Sequence, residues 1–475
     1  MMRVPPPDEF YARRDDRTNS EVETPQYQEA SLLIVGEREV LETDAGRELA
    51  LTATNLVSRF GRDVDLAFPS VAPDVESPVG GRTLAEQCLR QMWAANPHGR
   101  FGWVREPTER AYDCAIAIGN PGVNAETTPT IYVDGGGWIA YVGRAEPAGR
   151  PSGRNSNPIG PSTAACLAVA EAFKTVNGAP ESALSEEIIY DAFAHNVLDA
   201  ATSVDHSTID PPLNLGTVRM VGVGSVGSAA IRFLGRLPVE GTIQLVDHDS
   251  VELVNLNRSP LFQVDHAFEG TPKVKVAEEY LDHHGIESSS HQVPYDEFEG
   301  QQTEQADIVL PLANEGGVRS NIQHNRPPVM LHSTTSGAEV AVRRHIPVDE
   351  ACLLCHFPPE GPRVDSDCAT APVSSEDEDD TETGGDAALP FASFLAGCFV
   401  AAELAKLPLG VDPPTNSLAR ILTLADLGEI GVLQYDKEPA DDCVFCSNSS
   451  SSIHAGRIDG TRFDYLTDVI NENQT

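Results

Sequence analysis

The order of apolar and polar positions recurs along this chain of 475 residues. In each of two copies, an Asp and an Asn seven positions apart flank an apolar strand, a second apolar strand follows a proline, and an Ala-rich helix contains a Cys, a Glu and a Lys at the same spacing. The matched blocks are 113–120 with 307–314, 130–133 with 329–332, and 166–174 with 398–406. Three blocks in the same order predict an internal duplication.

The second copy contains a glycine-rich turn between a predicted strand and a predicted helix. A strand predicted over 219–221 precedes the turn, a helix is predicted over 228–236, and a strand over 243–246 ends at Asp247. The glycines of the turn are Gly222, Gly224 and Gly227. In this arrangement the glycines let the backbone approach a phosphate closely, and the acid accepts a hydrogen bond from a ribose hydroxyl. The sequence therefore predicts a Rossmann-like nucleotide site in the second copy.

The first copy lacks the residues that such a site needs. Its first strand, 32–35, is followed by Gly36 and Glu37 with no second or third glycine, and its next strand, 64–68, ends at Pro69 instead of an acid. Without those groups the backbone cannot approach a phosphate and no carboxylate binds the ribose. We therefore expect the first copy to be a degenerate half that scaffolds the second.

Composition excludes a nucleic-acid surface. The net charge is −39 and the isoelectric point is near 4.5, whereas nucleic-acid binding needs clustered Lys and Arg. Only five of the 33 basic residues are lysine, although lysine is normally among the commonest residues. An excess of acid with scarce lysine suits a cytosol of high salt, where charges are screened over about 3 Å at about 1 M. We hypothesise a halophilic origin.

The chain is expected to be cytoplasmic. No apolar run approaches the roughly 20 residues that span a membrane, and residues 1–19 are polar and proline-rich, unlike a secretory signal. Nine cysteines in a large cytosolic chain favour metal or thiol chemistry over disulfides.

Further polar residues follow the strand that ends at Asp247. They are Asp249, Asn255, Asn257, Arg258 and Lys273, within Asp-x-Asp, Asn-x-Asn-Arg and Gly-x-x-Lys motifs. This order resembles the adenylation fold of the ubiquitin-activating enzymes and their ThiF/MoeB/HesA relatives, and the resemblance covers about residues 215–446. It implies ATP-dependent adenylation of the C-terminal carboxylate of a ubiquitin-like or sulfur-carrier protein. The residues agree, because Arg258 and Lys273 supply cations that neutralise charge as pyrophosphate leaves.

The predicted fold class is α/β, with two tandem Rossmann-like adenylation-type domains, the first degenerate. We expect a polar arm over 1–28, the degenerate domain over 29–180, and the adenylation domain over 181–475. The last domain includes an acidic loop over 374–386 and a polar tail over 447–475. An amphipathic helix is predicted over 186–204, between the two halves.

Two Cys-x-x-Cys pairs predict a structural zinc site. They are Cys352 with Cys355 and Cys443 with Cys446. Four thiolates in two such pairs fill a tetrahedral zinc site and leave no open position for catalysis. ThiF/MoeB-type proteins have a similar arrangement, so the zinc is expected to staple the C-terminal segment to the core.

Two positions bear on catalysis. In the resembling family, a cysteine of the segment that contains Cys368 accepts the activated acyl group or takes part in sulfur transfer. Asp365 and Asp367 beside it would raise the pKa of the thiol, so an incidental loop cysteine is the alternative reading. Asn314 stands where the family usually places an aspartate that holds the magnesium of ATP, and Glu315 is a possible substitute ligand.

The family also brings an arginine from a partner's N-terminal segment into the nucleotide site. Arg13 and Arg14 are the candidates here, the alternative being a charged tail. A chain of two halves supplies such a residue in cis, as a monomeric pseudo-dimer, unless two chains form a homodimer. Two other functions stay open: a non-catalytic nucleotide-binding scaffold and an NAD-dependent oxidoreductase, the latter disfavoured by Arg258, Lys273 and the cysteine pairs.

Overall fold

The structure is a computed structural model that describes eleven longer segments of the chain. They are residues 4–19, 25–105, 110–123, 128–147, 156–178, 187–198, 212–302, 305–336, 339–345, 351–357 and 389–410. Shorter described pieces are 184, 209, 419–422, 431–433, 439–440, 443, 445–446 and 463.

The first half forms an eight-stranded sheet in the order β3-β2-β1-β4-β5-β6-β7-β8. Its strands are β1 Ser31–Gly36, β2 Asp63–Ala67, β3 Arg100–Trp103, β4 Cys114–Ile118, β5 Thr130–Gly136, β6 Ile139–Gly143, β7 Ile188–Asp191 and β8 Asn196–Leu198. Its helices are α1 Pro7–Arg14, α2 Asp16–Asn19, α3 Arg38–Leu41, α4 Asp44–Ser58, α5 Leu84–Ala95 and α6 Ile159–Val176. A 3-10 helix spans Gln26–Gln28.

The second half forms another eight-stranded sheet, in the order β11-β10-β9-β12-β13-β14-β15-β16. Its strands are β9 Leu213–Val221, β10 Val239–Val246, β11 Glu287–His291, β12 Ile308–Pro311, β13 Val329–Ser336, β14 Glu339–His345, β15 Ala419–Leu422 and β16 Gly431–Leu433. Its helices are α7 Ser225–Leu234, α8 Val264–Glu269, α9 Lys273–His283, α10 Tyr295–Glu299, α11 Gly316–Asn325, α12 Leu353–His356 and α13 Pro390–Lys406. A 3-10 helix spans Leu253–Asn257.

Both sheets place their strands in the same order and sense. In each, the first five strands in spatial order pair in parallel and the remaining pairs are antiparallel. Strand β4 is buried at every position, as expected for a parallel strand covered on both faces. The molecule is therefore a mixed α/β protein with two parallel-dominated sheets, consistent with Rossmann-like folds.

The blocks that recur in the sequence make equivalent contacts in the two halves. A carboxylate oxygen of Asp113 accepts a hydrogen bond from the backbone N–H of Ser31 at 2.8 Å, and Asp307 accepts one from Thr217 at 2.8 Å. Each Asp thus binds the backbone of the strand that comes first in the sequence of its own half, at the start of β1 and in the middle of β9. The matched Glu and Lys of α6 and of α13 form buried ion pairs in both helices.

The two halves share one hydrophobic core. Helices α6 and α13 are apolar around most of their circumference and are buried along nearly their whole length, as required of helices enclosed on all sides. They pack against each other, α6 also packs on α4, and α13 also packs on α7. Cys166 and Cys398 lie in these helices and are core residues.

The helix predicted over 186–204 is wrong. Strands β7 and β8 occupy 188–191 and 196–198, joined by a turn in which His195 has a positive φ of 52°. Residues 188–191 are buried and pair with β6, so tertiary pairing overrides the helical spacing. The first sheet consequently extends beyond residue 180, where the sequence placed the domain boundary.

None of the helices in the described segments is both long enough and apolar enough to cross a lipid bilayer.

Candidate functional site

A cavity of about 430 Å³ lies at the carboxyl ends of β9, β10 and β12. At β9 the strand order reverses, because β10 lies on one side of it and β12 on the other, and such a switch point is where open α/β sheets bind ligands. Eight predicted site residues line the cavity: Gly222, Gly224, Asp247, Asp249, Asn255, Arg258, Lys273 and Asn314. The fold therefore brings together residues that are up to 92 positions apart in the sequence.

The glycine turn connects β9 to α7 along one wall. Gly222 has a φ of 98°, and a Cβ there would lie 2.6 Å from the backbone nitrogen of Ala313, so only glycine fits. Gly224 lines the cavity at the N-cap of α7. Gly227 lies behind the wall, where a Cβ would be 2.2 Å from the carbonyl oxygen of Gly222. The first two glycines shape the cavity and the third permits close packing of helix and strand.

Asp247 joins two loops that border the cavity. Its Oδ2 accepts a hydrogen bond from the backbone N–H of Val223 at 2.7 Å, and its Oδ1 accepts one from Asp249 at 2.9 Å. Asp247, His248 and Asp249 offer ligand atoms that lie within 4.8 Å of one another. The Asp-x-Asp motif therefore places two carboxylates at the cavity.

Lys273 and Arg258 bring two cations to the same cavity. Lys273 begins α9, is largely buried, and donates from Nζ to Oδ2 of Asp249 at 2.6 Å. Arg258 donates from Nη1 to Oδ1 of Asn257 at 3.2 Å. Asn257 is fully buried and does not contribute to the cavity lining, so it acts behind Arg258.

Among the described residues of the N-terminal segment, Arg17 on α2 is the arginine that lines the cavity. Arg14 is buried and ion-paired with Asp15, and Arg13 is exposed. Neither residue lines the cavity, so the prediction of Arg13 or Arg14 is wrong. The sequence offered a cluster of basic residues but no periodic signal to choose among them, because α1 ends at Arg14 and a second short helix turns the chain.

Asn314 follows β12 at the cavity edge and is exposed. Its Oδ1 accepts a hydrogen bond from Nη2 of Arg319, one turn into α11, at 3.3 Å. Glu315 also lines the cavity and is exposed. Sequence reasoning missed Arg319, which becomes visible only once α11 is known to start beside Asn314.

In the first half, a glutamate occupies the position after the first strand where the second half has its glycine turn. The carboxylate of Glu37, directly after Gly36, accepts a hydrogen bond from the backbone N–H of Asn120 at 2.8 Å. The side chain of Asn120 donates to Glu146 at 2.7 Å. Two carboxylates at this position would repel a phosphate, which agrees with the expectation that the first copy is degenerate.

The two Cys-x-x-Cys pairs meet in space. Sγ–Sγ distances are 3.8 Å for Cys352 and Cys355, 3.5 Å for Cys352 and Cys443, and 3.6 Å for Cys355 and Cys446. A tetrahedral ion with bonds of about 2.3 Å to sulfur sets its ligands about 3.8 Å apart. The four thiols therefore fit a tetrahedral metal site.

Cys368 lies in 358–388, outside the described residues, as does the acidic loop 374–386. The tail 447–475 is also outside them, apart from residue 463.

The second half combines a Rossmann-like α/β fold, a cavity lined by cations, and a four-cysteine cluster. These features together indicate the class of protein to which it is similar. Residues 213–443 match the model of the ThiF family. This match covers a little under half of the chain, and over that part it confirms the resemblance read from the motifs. Residues 31–190 match a different model, described as the BilD N-terminal domain.

Similar proteins were found by sequence and by structure. An uncharacterised protein of Sinorhizobium fredii (strain NBRC 101917 / NGR234), y4jF, is 28% identical over 241 residues, which cover 50% of this chain and only 45% of that relative. The crystal structure of E. coli MccB with ATP is 18% identical, has a TM-score of 0.38, and covers 49% of this chain and 67% of its own. The microcin C7 biosynthetic enzyme MccB in complex with N-formylated MccA is 13% identical, has a TM-score of 0.37, and covers 66% and 97%.

Proposed function

We propose that the second half of the chain, from β9 onward, forms an ATP-dependent adenylating domain that activates the C-terminal carboxylate of a small ubiquitin-like or sulfur-carrier protein. The ThiF family match over 213–443 supports this proposal. The observation that carries it is the convergence of Arg258, Lys273 and the glycine turn on one cavity at the switch point of the sheet. The residues proposed to form the ATP site are Gly222, Gly224, Asp247, Asp249, Asn255, Arg258, Lys273 and Asn314 at the cavity, with Gly227 and Asn257 supporting them from behind its wall.

In the proposed reaction a carboxylate oxygen of the carrier attacks the α-phosphorus of ATP. A new phosphorus–oxygen bond forms, the bond to the bridging oxygen breaks, and pyrophosphate leaves with the electron pair. Negative charge grows on the leaving group, so fixed cations lower the barrier. Arg258 and Lys273 fill this role, and Arg17 adds a third cation from the N-terminal segment in cis.

Magnesium and zinc belong to the proposal in different ways. Asp247 and Asp249 offer the carboxylate oxygens that magnesium prefers, and Asn314 and Glu315 offer further oxygens at the next strand end. When bound, magnesium would neutralise charge on the ATP phosphates. The four cysteines are proposed to bind a structural zinc, because thiolates in this arrangement leave no open position.

The first half is proposed to be a pseudo-adenylation domain that takes the place of a second subunit. The shared strand order supports this reading, and Glu37 argues against a second ATP site. Cys368 is the proposed acceptor of the acyl group. A non-catalytic scaffold is the second candidate, favoured by the uncharged Asn314 at the cavity edge.

Exchange of labelled pyrophosphate into ATP, measured with candidate carriers, tests the proposal. Lys273→Gln should lower exchange on the order of 100-fold, because one charge that stabilises the transition state is lost. Lys275→Gln is the matched control: it lies on the same helix, is exposed, pairs with Glu278, and does not contribute to the cavity lining. Calorimetric titration should show one ATP per chain. Equal losses in both variants, or two ATP sites, would contradict the proposal.

A further inference from the structure

Arg59 of the first half is inserted into a loop of the second half. The loop comprises residues 256–262 and is called the 256–262 loop below. Nη1 of Arg59 donates to the carbonyl oxygens of Leu256 at 2.8 Å and Phe262 at 2.9 Å, and Nη2 donates to that of Pro260 at 2.9 Å. Three carbonyl groups of one loop therefore converge on a single guanidinium group.

Asn55 fixes the orientation of Arg59. Its Oδ1 accepts a hydrogen bond from Nε of Arg59 at 3.0 Å, and its Nδ2 donates to the carbonyl oxygen of Pro260 at 3.3 Å. The two residues lie one turn apart, at the C-terminal end of α4 and directly after it. Arg59 and Asn55 are thus both held in place by helix α4 of the first half.

Because the guanidinium of Arg59 is buried, it requires hydrogen bonds to the 256–262 loop. Its exposed fraction is 2%, and burial, with Arg14 and Arg232 nearby, lowers the pKa of Arg59 to about 9. Its hydrogen-bond partners within the described segments are all carbonyl oxygens. A buried cation is costly unless polar groups replace its hydration, so the loop has to keep its carbonyl groups on the guanidinium.

The 256–262 loop contains two residues of the proposed nucleotide site. Arg258 lines the cavity, while Asn257 is buried and accepts a hydrogen bond from Arg258. The amide of Asn257 also donates to the hydroxyl of Thr18 at 3.1 Å. Because both residues lie between the carbonyl groups that Arg59 holds, the shape imposed by Arg59 sets where Arg258 stands.

We propose that Arg59 is a positioning residue for the nucleotide site, supplied by the half that has no such site of its own. It folds the 256–262 loop around its guanidinium and so holds Arg258 against the cavity, without itself lining the cavity. This inference rests on the proposed function, since Arg258 is assigned to ATP there.

Arg236 provides a matched control within the same interface between halves. Its side chain is only 9% exposed, and it pairs with the carboxylates of Glu48 and Asp74 in the first half. No hydrogen bond joins it to the 256–262 loop within the described segments. A general loosening of the interface would therefore affect Arg59 and Arg236 variants alike, whereas a positioning role would separate them.

The test compares Arg59→Lys with Arg236→Lys by pyrophosphate exchange and by hydrogen exchange of the peptide that contains the 256–262 loop. A lysine ammonium is a single point charge and cannot reach three separated carbonyl groups as a guanidinium does. We expect Arg59→Lys to lower kcat by about tenfold or more, to change KM for ATP much less, and to speed hydrogen exchange in the loop. Arg236→Lys should lower the melting temperature but keep wild-type kcat and loop protection.

Asn55→Ser supplies a milder variant if Arg59→Lys fails to fold, and it should give a smaller loss in the same direction. Wild-type kcat and loop protection in the Arg59 or Asn55 variant would overturn the inference, as would an equal loss in Arg236→Lys. Failure of the proposed function gives a different result: wild-type protein would neither bind ATP nor exchange pyrophosphate. The hydrogen-exchange comparison would still decide whether Arg59 shapes the loop.

Discussion

At the scale of single residues, we expect Asn314 to limit catalysis at the proposed site. It lies at the carboxyl end of β12, faces the cavity, and accepts a hydrogen bond from Arg319. An amide oxygen carries less negative charge than the carboxylate that a hard cation prefers. The neighbouring Arg319 would stabilise a carboxylate at position 314 by direct ion pairing.

Asn314→Asp should therefore raise pyrophosphate exchange by about tenfold to 1,000-fold, because it adds negative charge where the magnesium of ATP is proposed to bind. The initial rate of exchange at saturating ATP measures this effect. Glu315→Gln is the companion variant, since Glu315 also lines the cavity. If Asn314→Asp leaves the rate unchanged and Glu315→Gln abolishes it, Glu315 is the ligand instead.

At the scale of elements, the cysteine cluster joins two distant parts of the chain. Cys352 and Cys355 flank the start of the short helix α12, while Cys443 and Cys446 lie about 90 residues later. This region lies outside the main core: Cys352, Cys355 and Phe445 belong to a small separate hydrophobic cluster. Metal-binding energy would then contribute directly to folding of this part.

Cys352→Ser should remove about one zinc per chain and lower the melting temperature, since a metal bound only in the folded state stabilises that state. Elemental analysis of dialysed protein measures the metal. Cys114→Ser is the control, because Cys114 is buried in β4 of the first half and is not part of the cluster. Full zinc content in a Cys352 and Cys446 double variant would rule out this site.

At the scale of the whole molecule, buried charges connect the two halves. Glu48 of the first half accepts hydrogen bonds from Arg232 at 2.7 Å and from Arg236 at 3.1 Å. Burial alone would raise the pKa of Glu48, but Arg232 and Arg236 hold it at about 2. The interface is therefore ionic as well as apolar, and its stability depends on pH.

His284 adds a second contribution to the pH dependence of stability, at less acidic pH than Glu48. Partial burial, with Arg236 and His283 nearby, lowers the pKa of His284 from 6.5 to about 4. Below 6.5 the unfolded chain binds a proton that the folded protein does not, so the contribution of His284 to the free energy of unfolding is present above 6.5 and is lost as the pH falls towards 4. Glu48 loses its contribution only lower, between 4.5 and about 2.

His284→Gln should therefore flatten the fall in melting temperature between about pH 7 and pH 5. His283→Gln is the matched control, because it removes an exposed imidazole from the adjacent position. The difference between the two slopes, measured by calorimetry at a series of pH values, gives the contribution of His284. Identical slopes in the two variants would contradict the prediction.

The sequence alone determined the chemistry of the proposed site and the presence of a repeat. Local rules fix these features: Gly222 must be glycine because its backbone has a positive φ, Asp247 directly follows β10, and Lys273 begins α9. The metal site could also be predicted from local spacing, since two thiols three positions apart can share one metal ion. The resemblance to the ThiF family, which the model match over 213–443 confirms, followed from these motifs.

Only the tertiary structure decided which long-range partners complete the site. Arg17 instead of Arg13 or Arg14 reaches the cavity because a second short helix redirects the chain after Arg14. Residues 188–198 form strands because an existing sheet edge offers backbone partners, which outweighs their helical spacing. Arg59 acts on a loop about 200 residues away. No local pattern encodes such contacts, because they depend on how the two halves pack against each other.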